Sequence, residues 1–166
     1  MMFALAYSLL VIMQLIGVNE GMQASSEQVN QTITEIQNIP VSTFSIFMNN
    51  WMIALLSGIP FLGIVFFVFV YYNTGYVFGV IGQYQHLSYM QTLSLTFTNI
   101  VGIWEEIAIC LVLTESLVIL YTGMRDGLTE AKDRLMKYSW RSVLVATVIL
   151  FFASMFETWL ITGGIA

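Results

Sequence analysis

No lysine or arginine occurs in the first 124 residues of this chain; all five, Arg125, Lys132, Arg134, Lys137 and Arg141, fall in one seventeen-residue window. On both sides of that window lie long apolar runs. The chain is 58% hydrophobic and 9% charged, against roughly 45 to 50% apolar and about 25% charged in an ordinary soluble domain. A water-soluble globule is excluded. At about 20 residues per helical crossing, the 166 residues suit an all-α, multi-pass transmembrane bundle of about five spans, read as a single membrane domain over 1–166. One cysteine and one histidine make neither an internal disulfide nor a His/Cys metal cage, so no cofactor and no metal is expected.

The basic window sets the expected orientation. By the positive-inside rule it is a cytoplasmic loop over 123–139, and an odd number of crossings between it and the acidic stretch 19–43 puts that stretch outside. Within the window Glu130 and Arg134, and Asp133 and Lys137, stand at i,i+4 spacing and predict a short surface helix. The stretch 19–43 carries Glu20, Glu27 and Glu35. Ser25 with Gln28 forms a capping-box pattern, followed by Val29, Ile33 and Ile36 at helical spacing until Pro40, which predicts a short amphipathic helix. Met1 to Val18 lacks the basic start of a secretory signal and is read as a retained first helix. The expected location is therefore the cell membrane, with a cytoplasmic amino terminus.

The remaining spans are placed at Trp51 to Tyr72, at a short segment from Gly75 into the eighties, at Ile100 to Tyr121 and at Trp140 to Ile161. Asn73-Thr74-Gly75 marks a break after the first of these. The segment from Gly75 to Gly82 is short for a bilayer of about 30 Å, so a re-entrant hairpin over 75–99 is the alternative. Tyr71, Tyr72, Tyr121, Tyr138, Trp140 and Trp159 fall near the proposed ends, as an aromatic belt does. Asn49, Asn50 and Asn73 are read as interfacial ends. His86 stands alone as a loop residue, and Cys110 as a small packing residue.

Four carboxylates interrupt apolar segments: Glu105, Glu106, Glu115 and Glu157. A charge at mid-membrane costs at least about 2.5 to 3.5 kcal/mol, so such residues face the bundle interior or a wet cavity. At about 100° per residue Glu106 and Glu115 point to opposite helix faces. Glu105 and Glu157 lie at similar depths on antiparallel helices, so the two are expected to form an intramembrane acidic pair that shares a proton or holds a cation. Gly75 and Gly79 form a GxxxG pattern, extended by Gly82, and with Gly102 they are candidates for helix packing or subunit contact.

No GxxxxGK[ST], HExxH or GxSxG pattern occurs, so the chain is expected not to be an enzyme, and ATP-driven work would need a separate ATPase chain. The order of motifs resembles the stage II sporulation protein M family of integral membrane proteins over roughly residues 44 to 161. Phe47 to Leu56, with Asn49 and Asn50, is similar to the family's Asn-Asn lead-in to its second helix, and Asn73 to Gly82 to the glycine-rich turn that follows. Val101 to Ile109 resembles its His-Gly-x-x-Glu-x-Pro-Ala signature, with Gly102, Glu105 and Ala108 matching and Val101 and Ile107 replacing His and Pro. Phe156-Glu157 falls where the family carries a late glutamate. The resemblance implies a multi-pass bundle with Glu105 and Glu157 as recurrent acids; in spore formers it implies a scaffold for cell-wall hydrolases.

Two functions follow as expectations. The first is a scaffold or accessory subunit holding partner proteins in a membrane complex; its partners are membrane lipid, other membrane proteins and, in one variant, further copies of itself, with no nucleic acid. The alternative is a transport component that handles protons or cations through its intramembrane glutamates, or a permease part beside a separate ATPase. A wet cavity reaching Glu105 favours transport; a flat apolar patch around Gly75 and Gly79 favours assembly.

Overall fold

A computed structural model describes residues 1–39 and 42–163. Pro40, the expected stop of the amphipathic pattern, lies outside the described residues. Among these there are seven helices and no strand: α1 (Met2–Gly21), α2 (Ser26–Gln37), α3 (Thr43–Ser57), α4 (Leu62–Tyr84), α5 (Tyr89–Thr98), α6 (Ile100–Arg125) and α7 (Leu128–Ile161). Helices α1, α4, α6 and α7 are each long and apolar enough to cross a membrane. Helix α3, with fifteen residues, reaches only about 22 Å at 1.5 Å per residue. It nonetheless runs through the same bundle, packed on α4, α6 and α7.

Contacts fix the directions. Gly17 meets the backbone of Tyr72 and Tyr76, and Gly21 that of Tyr76 and Val80, so α1 and α4 are parallel. Thr43 bonds Thr158 at 3.0 Å and Trp51 bonds Thr147 at 3.0 Å, so α3 and α7 are antiparallel. Asn50 bonds Glu105 and Gly58 meets Val112, so α3 runs with α6. The described chain thus passes through the bundle five times in alternating directions, and the start of α1 and the end of α7 lie on opposite sides.

The break in the second apolar stretch is earlier than the sequence suggests. Gly58-Ile59-Pro60-Phe61 separates α3 from α4, because Pro60 has no amide to donate to a helical carbonyl. Phe61 adopts φ 70° and Leu62 N donates to Pro60 O at 2.9 Å, a γ-turn with a positive central φ. Gly63 lies directly against the carbonyl of Ser57, which permits the reversal. By contrast α4 runs unbroken through Asn73-Thr74-Gly75: Asn73 donates to Phe69 O at 2.7 Å and Thr74 to Val70 O at 3.0 Å, so both polar side chains are satisfied within the helix. No re-entrant hairpin forms over 75–99. Residues 75–84 complete α4, and the ten-residue α5 packs on α4 and α6, with Gly82 against Thr92.

The expected basic loop is also mostly helix. Helix α6 continues to Arg125, only Asp126 and Gly127 turn, and α7 begins at Leu128 rather than near Trp140. Its 34 residues make about 51 Å of helix, some 20 Å more than the hydrocarbon core needs. That excess corresponds to the segment carrying Lys132, Arg134, Lys137 and Arg141. The arginines there lie over rings, Arg134 over Tyr138 at 5.6 Å and Arg141 over Tyr138 at 5.5 Å and Trp140 at 5.6 Å.

Lipid tails are as apolar as leucine, so burial of side chains from lipid gives little drive for helix association; close packing and interhelical hydrogen bonds take its place. The interior accordingly mixes Leu10, Phe67, Leu113 and Leu150 with small Ala6, Ala54, Ala108, Cys110 and Ala146. Outward-facing Val65, Phe69, Val148, Phe152 and Trp159 are exposed on the spans, where acyl chains surround them.

Candidate functional site

Within the end of the bundle remote from the basic turn is a cavity of about 160 Å³. Six helices and the α5–α6 junction contribute to it: Gln14 of α1, Asn50 of α3, Tyr71 and Thr74 of α4, Thr96 of α5, Asn99 at the start of α6, then Glu105 and Glu106 of α6 and Glu157 of α7. Glu105 stands five residues into α6, about 7 to 8 Å along its axis. The lining has three carboxylates and no lysine, arginine or histidine.

Neutral amides hold two of the acids. Gln14 Nε2 donates to Glu106 Oε1 at 2.8 Å, and Asn50 Nδ2 donates to Glu105 Oε1. Gln14 is 1% exposed and Glu106 7%, so this is an interior hydrogen bond; among the described residues the Gln14 Oε1 atom has no partner. Thr74 and Thr96 spend their hydroxyl hydrogens on Val70 O and Thr92 O, at 3.0 and 2.9 Å, which leaves their oxygens as acceptors. Asn99 caps α6, accepting from Val101 N at 3.1 Å. The result is a site rich in acceptor oxygen with little positive charge to balance it.

Glu115 is different. Arg134 reaches across from α7 to it with Nε–Oε1 and Nη2–Oε2 distances of 3.0 Å each. The expected Glu130–Arg134 pair is therefore replaced by one to Glu115, because the antiparallel α6–α7 packing brings that carboxylate to Arg134 from the facing helix. The expected Asp133–Lys137 pair is present at 2.9 Å.

Several residues stand elsewhere than their sequence context suggests. Tyr71 is 4% exposed in the interior and lines the cavity instead of joining an interfacial belt, since residue 71 is mid-helix. Asn50 faces Glu105 rather than ending a span, while Asn49 is exposed. Gly75 and Gly79 lie against the backbone of Gln14 and Val18, so α1 of the same chain covers the GxxxG face. Gly102 lines the cavity, and a methyl added there would meet the Asn99 side chain at 3.7 Å. His86, with φ 57°, takes the left-handed position that closes α4, with Leu87 N bonded to Gly82 O at 2.9 Å. Cys110 is buried in the core.

Gln14, Gly17 and Gly21 were not singled out by the motif reading. A lone glutamine inside an otherwise apolar helix and a second GxxxG, Gly17 to Gly21, are the signals that point to them. The two glycine pairs interlock in parallel, and that close approach brings Gln14 of α1 to Glu106.

The chain matches the family described as stage II sporulation protein M over residues 1–161. No curated protein and no solved structure matches it. The match takes in all five passes and the whole of the cavity lining, beyond the region where the motifs alone carried the resemblance, and with four helices suited to crossing a membrane this chain belongs to the stage II sporulation protein M family of membrane proteins.

Proposed function

We propose that this protein is a non-enzymatic membrane component that handles protons or small cations at the cavity around Glu105, Glu106 and Glu157. One observation carries the reading: three carboxylates share an intramembrane cavity with no basic side chain. Charges held inside a membrane bundle are costly, and residues kept at such a cost are expected to do work. The face around Gly75 and Gly79 is taken up inside the chain, so it supports no assembly surface. The basic α6–α7 turn is placed on the cytoplasmic side by the positive-inside rule, with the amino terminus on that side too and the cavity nearer the opposite face.

The test is flux. Wild-type protein in sealed vesicles should dissipate an imposed proton or cation gradient, and Glu105→Gln with Glu157→Gln should abolish this while leaving the protein folded. Equal flux in the two proteins would reject the reading.

Scaffolding, which family membership suggests, is favoured by a separate observation. The α6–α7 turn carries exposed Met124, Leu128 and Met136 among its basic residues, beyond the length a bilayer accounts for. Extraction in mild detergent with identification of bound proteins tests it: stoichiometric partners lost on Met124→Ser with Leu128→Ser would make the turn a docking element, and recovery of the lone chain would not.

A further inference from the structure

We infer that the cavity is a binding site for one partly hydrated monovalent cation, sodium or potassium, with Gln14 Oε1 as a neutral ligand and Glu106 and Glu105 as the charged ones. This rests on the cavity being the working site, and it adds the class of ion and the atoms that hold it. Four observations carry it.

The first is the orphaned oxygen. Gln14 is 1% exposed and its Oε1 has no partner among the described residues, although its Nε2 is used on Glu106 at 2.8 Å. A buried amide oxygen without a partner carries an uncompensated loss of hydration. Glu106 fixes the amide's orientation, because a carboxylate accepts from Nε2 and repels Oε1. Gln14 lines the cavity, and its oxygen is not committed to any other group among the described residues.

The second is the sign of the lining. Carboxylates, amide oxygens and threonine oxygens whose hydrogens are already donated all present lone pairs. An anion finds no complementary charge there. Hard cations take such oxygen sets.

The third is the charge of the ion. Among the described residues no group of three or more Asp, Glu, His or Cys side chains is placed to hold a metal ion together. A divalent ion in a low-dielectric interior draws on several converging carboxylates. One or two carboxylates with neutral oxygens suit a single positive charge.

The fourth is size. A cavity of about 160 Å³ is far larger than the 10 to 15 Å³ one water needs. An alkali ion with several of its waters fits, so the ion need not be stripped bare.

The experiment is thermal unfolding and titration calorimetry of the full chain in detergent, with sodium, potassium, calcium and choline chloride at matched ionic strength. Sodium or potassium should raise Tm and bind with saturation, whereas choline should not. Binding should weaken about tenfold or more, the loss of one ligand's worth of free energy, in Gln14→Leu and in Glu106→Gln, and stay unchanged in Glu115→Gln. Circular dichroism and gel filtration report whether each variant folds; Glu105→Gln replaces any that does not. Sodium and potassium acting no differently from choline, saturable binding of calcium alone, or alkali binding untouched in the folded Gln14 and Glu106 variants would each overturn the inference. Saturable alkali binding without flux in vesicles would sustain the site and sink transport, whereas proton flux without alkali binding would do the reverse.

Discussion

Helix α6 carries carboxylates in both of its halves, and the two halves treat them in opposite ways. Toward Arg125, Glu115 receives a guanidinium from the facing helix through two contacts of 3.0 Å. Toward Ile100, Glu105 and Glu106 receive only amides, from Asn50 and Gln14. A paired carboxylate is electrically closed, since its charge is balanced within the protein and a further cation gains little there. A carboxylate held by dipoles keeps its charge unbalanced, and the balance must come from a proton or an ion. One helix thus shows a structural acid and exchangeable acids, and what separates them is the partner and not the residue type.

The difference can be broken at several points. The largest effect is expected from Gly17→Leu: the new side chain meets the backbone of Tyr72 and Tyr76, so α1 must leave α4 and take Gln14 away from Glu106. Loss of folded protein on gel filtration is expected, with a nearly normal profile for Gly102→Ala, whose position has room for a methyl. Next is Arg134→Ala, which leaves Glu115 unpaired at 13% side-chain exposure. It should cost about 2 to 3 kcal/mol, between values for exposed and buried pairs, with most of that recovered when Glu115→Gln is added in a double-mutant cycle of unfolding.

At the other end Glu106→Ala removes the acceptor of the buried Gln14 amide and should cost about 1 to 2 kcal/mol. Glu106→Gln, which keeps an acceptor, should cost less and separate the hydrogen bond from the charge. The smallest effect is expected from Lys137→Ala. Its pair with Asp133 lies on an exposed surface, with side chains 64% and 62% accessible, and its removal should leave Tm unchanged within error.

Much of this was legible in the chain. Apolar runs fix an all-helical membrane protein, and the capping box of Ser25 with Gln28 marks the start of α2, both of its bonds being present. Glu105 and Glu157 share a cavity, as their depths on antiparallel helices suggest. The exact breaks were not legible, because Asn and Thr in a membrane helix can bond the carbonyl four residues back and so cease to be breakers. Asn73 does this, while Pro60, which cannot, ends the helix. The role of Gln14 was hidden for a different reason: its partner lies 92 residues away, and only the interlocking of Gly17 and Gly21 with Gly75 and Gly79 sets the register between α1 and α4. Arg134 was assigned a neighbour on its own helix because i,i+4 spacing is local, whereas the pairing of α6 with α7 is not.

The comparison is tested most directly by infrared spectroscopy of the protonated carboxyl band during a pH titration of the purified protein. The wild type and Glu115→Gln are expected to share a carboxyl component that is missing from the Glu105→Gln, Glu106→Gln, Glu157→Gln triple variant. A component that survives in that triple variant but is lost in Glu115→Gln would contradict the account, since the exchangeable acid would then be the one that Arg134 holds.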